Sequence, residues 1–250
     1  MSIVYTLDSK YTELLPFVKD ITTHFDDDAP TLHDARNILK LFEHQNTRIV
    51  VKSFKTPNII NQIVYSTFRK SKAARSYMYS QKLIALGIAT PRPIAFVEER
   101  QWGLFRRSYY LSEHFDFDFE IRDVLHDENF TGREDILKAF ARFSYQLHEA
   151  GVYHVDYSPG NVLIKQNHQV YRFSIVDVNR MEFITFTPTL RLKNLSRFSA
   201  SEEDTRMIAT FYAEVAGLDV NWSCETLMHY HHKHQEYRQR KQALKKLKKT

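Results

Sequence analysis

The feature that most restricts the fold of this chain is the run His154-Val-Asp-Tyr-Ser-Pro-Gly-Asn161, with a further aspartate, Asp177, downstream. The apolar run Val162-Leu-Ile164 follows it directly, polar residues come next, and a second apolar run ends in Ile175-Val-Asp177. Two apolar runs around a polar turn predict a β-hairpin. Such a hairpin would return Asp177 to the side of Asn161.

This spacing has a chemical rationale. Phosphoryl transfer needs a carboxylate that orients an acceptor hydroxyl and takes its proton, and oxygen ligands for a metal on the nucleotide phosphates. Asp156 suits the first role, and Asn161 and Asp177 suit the second. The pattern H-x-D-x-x-x-x-N is that of a kinase catalytic loop. By itself it is equally compatible with a loop whose Asp and Asn form turns. The position of Asp177 favours the functional interpretation.

Composition limits the class of protein. A chain of 250 residues with 43% hydrophobic residues is large enough for one big domain or two lobes with an interface. A single cysteine, Cys224, excludes an internal disulfide framework and favours a reducing compartment. We see no signal-peptide pattern at the N-terminus and no apolar run long enough for a membrane helix. We therefore expect a soluble, cytoplasmic protein.

The net charge of +5 is unevenly distributed. Of 35 basic and 30 acidic residues, eight basic residues and one acid, Glu236, lie from His229 onward. The remainder is close to neutral, so a uniformly basic nucleic-acid binder is not expected. The basic end could bind an anionic lipid or another polyanion.

Along the chain, strands and helices are segregated. Residues 37–42 and 48–54 have strand patterns, and residues 58–86 are helical up to Gly87. Residues 94–98 and 108–113 predict another pair of strands, and helical patterns dominate afterwards. Capping boxes at Thr131-Gly-Arg-Glu134 and Ser199-Ala-Ser-Glu202 predict two helix starts. Segregated strands and helices predict an α+β fold, in the order found in bilobal kinases.

Five segments carry a resemblance to a known family. They are Val51-Lys-Ser-Phe-Lys55, Lys72-Ala-Ala-Arg-Ser-Tyr77, Gly87-Ile-Ala-Thr-Pro-Arg-Pro-Ile-Ala95, Leu147-His-Glu-Ala-Gly-Val-Tyr-His-Val-Asp156 and Phe198-Ser-Ala-Ser-Glu-Glu-Asp204. In this order they resemble the bacterial lipopolysaccharide kinase (Kdo/WaaP) family, a branch of the protein-kinase-like fold. The resemblance implies a β-rich lobe over residues 1–111, a mainly helical lobe over 112–236 and a basic tail over 237–250.

The resemblance also implies cofactors and residue roles. ATP and Mg²⁺ would be the cofactors, and a sugar hydroxyl of the lipopolysaccharide inner core, on Kdo or heptose, would be the acceptor. Lys52 would bind the ATP phosphates, Asp156 would be the catalytic carboxylate, and Asn161 and Asp177 would hold the metal. Glu113 lies in the segment Tyr110-Leu-Ser-Glu-His114, the expected hinge whose backbone meets adenine. His154 would be architectural and bond to backbone near Asp177.

Three departures from the kinase pattern weaken this picture. No glycine precedes Gly87, so the phosphate loop lacks glycine, and Arg36 could supply compensating charge. No Asp or Glu lies between His44 and Val97, and Met78 stands where the helix glutamate that pairs with the strand lysine is expected. Without that glutamate we expect Lys52 to turn to Asp177, while Gln81 offers a neutral acceptor. Val178-Asn179 replaces the usual Phe-Gly.

The alternatives remain a kinase-fold nucleotide-binding protein with weak or no catalysis, and an atypical protein kinase. Arg191, Lys193 and Arg197 could bind an acidic acceptor or lie on a solvated surface, with equal weight. The histidines between His229 and His234 are more typical of a solvated helix than of a metal site. The basic tail is more typical of a soluble end than of an anchor. Its functional alternative is peripheral contact with anionic lipid at the inner face of the inner membrane.

Overall fold

A computed structural model describes residues 2–26, 29–34, 37–44, 46–55, 70–102, 104–198 and 200–247. The chain forms two compact units. The first contains Met1–Asp116 and the short insertion Asp177–Arg180, and the second contains Phe117–Val176 and Met181–Thr250. These units do not test the predicted boundaries of the lobes and the tail, which stay predictions.

An antiparallel six-stranded sheet forms the first unit, in the order β1-β5-β6-β4-β3-β2. Side chains alternate between its two faces, as in any strand. On β4, Ile49 and Val51 are fully buried on one face, so Lys52 points to the other. The strands are β1 (Ser2–Leu7), β2 (Thr31–Asp34), β3 (Asn37–His44), β4 (Thr47–Phe54), β5 (Pro93–Gln101) and β6 (Leu104–Glu113).

The N-terminal segment, to which sequence patterns assigned no structure, covers the face of β4 that carries Ile49 and Val51. That segment contains a 3-10 turn (Ser9–Leu14), α1 (Leu15–Lys19) and α2 (Ile21–His24). Its apolar side chains join the strands in one core, made of Tyr11, Leu14, Phe17, Val18, Ile21, Phe25, Ile49, Val51, Ile94, Ala95, Val97, Tyr109 and Leu111. The segment is therefore an integral part of the first unit.

Helix α3 (Lys72–Ala85) packs against β5, β6 and the 178–180 turn. Its first turn is capped by Ser71, whose hydroxyl accepts a 3.0 Å hydrogen bond from the amide of Ala74. Gly87 follows its end with φ +76, as expected of a helix-terminating glycine. The earlier part of the predicted helical region, residues 58–69, lies outside the described residues.

In the second unit, β9 (Val162–Asn167) and β10 (Val170–Ile175) form the predicted hairpin, with Val162 opposite Ile175. Strand β7 (Phe119–Glu120) adds to β9, and β8 (Val152–His154) pairs with β11 (Met181–Phe183). The helices are α4 (Ile121–His126), α5 (Arg133–Glu149), α6 (Pro188–Leu195), α7 (Glu202–Ala216) and α8 (Val220–Leu247). An antiparallel sheet followed by a mainly helical part confirms the predicted α+β class.

Both predicted capping boxes are wrong in detail. The N-cap of α5 is Gly132, in the left-handed conformation, and no side chain caps that helix. The N-cap of α7 is Ser201, whose Oγ accepts from the amide of Asp204 at 3.0 Å. The helix starts were thus predicted within two residues, but the residues that cap them were not.

No helix within the described ranges combines the length and apolarity that a membrane span requires.

Candidate active site

The first group of candidate residues is an ion pair inside the first unit. Nζ of Lys52, on β4, donates to Oδ1 of Asp177 at 2.7 Å, and both side chains are largely shielded, with 15% and 32% exposure. The two residues are far apart in the sequence, so the fold itself brings them together. The contact is the one expected for a strand lysine that lacks a helix glutamate.

Asp177 has a backbone conformation that is rare for a residue with a side chain, with φ +58. Such left-handed conformations often occur at functional sites. A second donor, Nδ2 of Asn179, lies 2.6 Å from the same Oδ1. Because Asn179 is buried and Lys52 approaches from β4, two donors fix the direction of the Asp177 carboxylate.

Helix α3 offers Lys52 no acidic partner, since it contains no carboxylate. Met78, at the position expected for the glutamate, is 37% exposed. Gln81 donates instead to the hydroxyl of Tyr77 at 3.0 Å, within the helix. The Lys52–Asp177 pair thus takes the place of the strand–helix ion pair in the first unit.

The second group of candidate residues lies inside the second unit, in the loop between β8 and β9. Nε2 of His154 lies 3.1 Å from the carbonyl oxygen of Val176, and its Nδ1 accepts from the amide of Asp156 at 3.2 Å. His154 therefore joins the loop to the end of the hairpin that precedes Asp177. This is the predicted architectural role.

Tyr157 anchors the same loop to the core of the second unit. Its ring is fully buried against Phe140 and Phe198, and its hydroxyl lies 2.8 Å from Oγ of Ser144 on α5. Burial raises the pKa of Tyr157 well above its usual value, so the phenol stays neutral. Asp156, one residue earlier, is half-buried and takes its position from this anchor.

Asn161 is oriented by its own loop. Its side-chain Nδ2 donates to the backbone carbonyl oxygen of Asp156 at 2.8 Å. Its backbone carbonyl oxygen accepts from the backbone amide of Val176 at 3.0 Å. The hydrogen bond at the nitrogen leaves Oδ1 at the opposite end of the amide. Hard cations such as Mg²⁺ take oxygen ligands, so the amide oxygen of Asn161 is a group of the kind that this metal binds.

A buried polar network supports the loop, and sequence reasoning missed it. Asn194 donates from Nδ2 to the carbonyl oxygen of His154 at 3.0 Å, and its Oδ1 lies 3.2 Å from Nε2 of His148. Nδ1 of His148 lies 2.7 Å from the hydroxyl of Tyr212. Burial lowers the pKa of His148 to about 3, so the ring is neutral. The three residues lie on three different helices, so no local pattern relates them. Only His148 belongs to a segment that sequence reasoning had singled out.

Two further residues, Glu113 and Arg36, were predicted to bind the nucleotide. Glu113 accepts a 2.6 Å hydrogen bond from the hydroxyl of Tyr11, and its amide donates to the carbonyl of Arg92 at 2.9 Å. These contacts tie Glu113 to the first unit, and its role at adenine stays a prediction. Arg36 lies outside the described residues.

Two of the three basic residues considered for the acceptor, Arg191 and Lys193, have side-chain contacts within the second unit. Arg191 pairs with Glu149 and lies over the ring of Tyr145, at 5.7 Å from its centroid. Lys193 lies 5.8 Å from the centroid of Tyr230. These contacts favour a structural interpretation for Arg191, which is only 19% exposed.

The histidines of α8 make separate contacts. His232 pairs with Glu202 at 2.9 Å, and Nε2 of His231 lies 2.6 Å from Gln235. In the part of the chain that the structure describes, no group of three or more His, Cys, Asp or Glu side chains forms a metal site. The solvated-helix interpretation fits these contacts for His232, whereas His231 is buried.

Comparisons with known proteins identify the fold and the family of this chain. The solved structure of WaaP in complex with acyl carrier protein is similar to this chain, with a TM-score of 0.64 at 15% sequence identity. The alignment covers 94% of this chain and 99% of that one, so the two share their fold. No curated protein matches this chain by sequence. The model of the Lipopolysaccharide kinase (Kdo/WaaP) family matches residues 41–218. This match spans well over half of the 250 residues, and the chain belongs to the lipopolysaccharide kinase (Kdo/WaaP) family.

Proposed function

We propose that this chain is an ATP-dependent kinase that transfers the γ-phosphoryl group to a sugar hydroxyl of the lipopolysaccharide inner core, on Kdo or heptose. Family membership supports a kinase that acts on lipopolysaccharide. The observation that carries the finer proposal is the 2.7 Å contact between Lys52 and Asp177, with Asp177 held at φ +58. A cation and a carboxylate placed in this way suit the phosphates and the metal of a nucleotide.

The nucleotide end of the proposed reaction depends on three side chains. Lys52 would bind phosphate oxygens through its ammonium group, and Asp177 and Asn161 would hold Mg²⁺. The bound Mg²⁺ would neutralise charge on the transferring phosphoryl group. Lys52 exchanges part of its contact with Asp177 for the phosphates, so binding replaces one charge pair with another.

The acceptor end depends on Asp156. Its carboxylate orients the sugar hydroxyl and accepts the hydroxyl proton as the new P–O bond forms. His154 and Tyr157 keep the loop rigid, because they bond to Val176 and Ser144, respectively. Since little covalent chemistry falls to the protein, rate enhancement comes from positioning and from electrostatic stabilisation.

One observation favours the alternative of a kinase-fold nucleotide binder with weak catalysis. Met78 is exposed and α3 carries no carboxylate, so the contacts that orient Lys52 in the described ranges are the Asp177 carboxylate and the Phe54 ring, whose centroid lies 5.5 Å from Nζ. A protein hydroxyl is the acceptor in the third alternative, an atypical protein kinase.

Two measurements separate these possibilities. ATP with Mg²⁺ should raise the melting temperature of the wild type by several degrees. Asp177→Ala should lose this shift, and the exposed control Glu225→Ala should keep it. Labelled phosphate should then be transferred to a lipopolysaccharide core acceptor by the wild type and not by Asp156→Ala. Equal incorporation by the two proteins would disprove the kinase proposal. A nucleotide shift without incorporation would favour the nucleotide binder.

The basic C-terminal segment supports a second element of the proposal, peripheral contact with anionic lipid. Helix α8 runs from Val220 to Leu247 without interruption, and its exposed residues beyond Tyr237 include Arg238, Arg240 and Lys241. Cations on one helix are attracted to anionic headgroups. Such contact would bring the kinase to a lipid-linked acceptor at the inner face of the inner membrane.

A further inference from the structure

The guanidinium of Arg122 occupies the space that a side chain at position 160 would fill. A Cβ built on Gly160 would lie 2.8 Å from Cζ of Arg122, 3.3 Å from its Nε, and closer still to its Nη2. Any residue larger than glycine at position 160 would displace this group. The absence of a side chain at Gly160 and the presence of Arg122 are therefore two parts of one arrangement.

This arrangement lies on the loop that carries Asp156. Gly160 belongs to the 3-10 turn Pro159–Asn161, and α4, which carries Arg122, packs against that turn. The turn is fixed because Asn161 bonds to the carbonyl of Asp156. The guanidinium therefore lies beside the loop that contains the proposed catalytic carboxylate.

Arg122 supplies a charge that the loop itself does not contain. The segment His154-Val-Asp-Tyr-Ser-Pro-Gly-Asn161 has no lysine or arginine. The Arg122 side chain is 53% exposed, and its Nε lies 3.6 Å from Glu120. The Glu120 side chain is 27% exposed, but a pair of this length with a half-exposed arginine is weak, so the guanidinium can still bind an anion from solution. Its planar fork suits carboxylate and phosphate groups, which it binds with two parallel hydrogen bonds.

We propose that Arg122 binds an anionic group, a carboxylate or a phosphate, on the acceptor sugar, next to the hydroxyl that Asp156 orients. This inference rests on the proposed function, since it places the acceptor at Asp156. It makes Arg122 a specificity-determining residue, because a neutral sugar would leave the guanidinium without a partner. Gly160 acts as a positioning residue, since it leaves room for the guanidinium.

The test measures binding rather than turnover. Dissociation constants of the full-length chain are determined by calorimetry for Kdo against Kdo methyl ester, and for mannose 6-phosphate against mannose. For the wild type, the charged member of at least one pair should bind about tenfold more tightly than the neutral member. The Kdo pair reports on a carboxylate and the mannose pair on a phosphate, so the two arms distinguish the sources of the anion.

Variants then assign the discrimination to Arg122. Arg122→Gln should abolish the preference, and Arg122→Lys should retain part of it, since it keeps charge without the fork. Gly160→Ala should reduce the preference by pushing the guanidinium away, although it leaves every charge in place. In the double variant Arg122→Gln with Gly160→Ala, no further loss is expected. Arg142→Gln, at an exposed position on α5, is the matched control and should keep the preference.

Each outcome decides the proposal. No preference in either pair for the wild type, or an undiminished preference in Arg122→Gln, would overturn it. If Gly160→Ala fails to fold, the two Arg122 variants decide alone, because that side chain is exposed. Phosphate transfer is assayed in parallel. Its absence would contradict the kinase function, whereas the binding ratios would still report on Arg122.

Discussion

Nδ2 of Asn179 lies 2.6 Å from Oδ1 of Asp177, so the second residue after the proposed metal-binding carboxylate holds that carboxylate in place. Lys52 donates to the same oxygen. If a nucleotide drew Lys52 toward its phosphates, as proposed, Asn179 would still donate to this oxygen of the carboxylate. The replacement of the usual glycine by Asn179 thereby gains a physical role.

We predict that Asn179→Ala raises the Mg²⁺ concentration needed for half-maximal nucleotide binding by about tenfold. This change corresponds to the loss of one hydrogen bond to a charged group. Asn179→Asp should be worse, because a second carboxylate repels the first. Titration of Mg²⁺ at fixed nucleotide, followed by thermal shift, measures the effect. An unchanged Mg²⁺ midpoint in both variants would mean that Lys52 alone orients Asp177.

The buried ring of His148 predicts a pH dependence of stability. Burial lowers its pKa to about 3 from 6.5, with the charge of Arg191 acting in the same direction and the Asn194 hydrogen bond opposing it. The unfolded state therefore binds the proton more readily between these two values. The stability that comes from keeping His148 neutral is fully present above pH 6.5 and is lost as the pH falls toward 3. Over this range the free energy of unfolding changes by at most about 1.4 kcal/mol per pH unit.

His148→Gln provides the check, since glutamine can bond to Tyr212 and Asn194 but cannot titrate. Chemical denaturation between pH 7 and pH 4 should give a smaller decrease in the free energy of unfolding than for the wild type. The exposed control His229→Gln should follow the wild type. The same acid-side slope in all three proteins would contradict a buried neutral His148.

Gly151 ends α5 directly before β8, with φ +70, and a Cβ there would lie 2.9 Å from the carbonyl oxygen of Ile184. We predict that Gly151→Ala reduces the free energy of unfolding by about 2 kcal/mol, from left-handed strain and the backbone clash together. Denaturant melting measures this loss. Gly87→Ala is the matched control, because Gly87 has φ +76 but nothing within 4 Å of its Cβ position. An equal loss in the two variants would leave strain alone as the cause.

Truncation after Tyr237 should reduce binding to vesicles that contain anionic lipid, since it removes seven lysine and arginine residues. Each basic residue near such a surface contributes about 1 kcal/mol at most, and salt screens the attraction. Cosedimentation at low and high ionic strength measures the change, with neutral vesicles as the control. Equal binding by the truncated and full-length chains would exclude this segment as the membrane contact.

Local patterns in the sequence were sufficient for the hairpin that leads to Asp177 and for the strand that carries Lys52. The contact between Lys52 and Asp177 could also be anticipated, since the absence of a helix glutamate leaves the carboxylate as the partner. The family match and the similarity to WaaP confirm the family and its fold. The assigned roles of these side chains stay predictions.

Contacts that join distant segments could not be predicted. The network of His148, Asn194 and Tyr212 depends on three helices, and no spacing in the chain relates them. Tyr11 reaches Glu113 only because the N-terminal segment folds onto the sheet. The contact of Arg122 with Gly160 is also invisible in the sequence, because a glycine next to a turn proline is equally typical of a simple loop.

The left-handed backbone at Asp177 has a consequence for how this position can vary. Glycine adopts such a conformation without strain, whereas aspartate sacrifices roughly 1 kcal/mol of folding stability there. If stability alone determined the residue, glycine would be favoured. The aspartate at position 177 therefore places a carboxylate at a turn whose backbone suits glycine better, and the oxygen that it brings there accepts hydrogen bonds from Lys52 and Asn179.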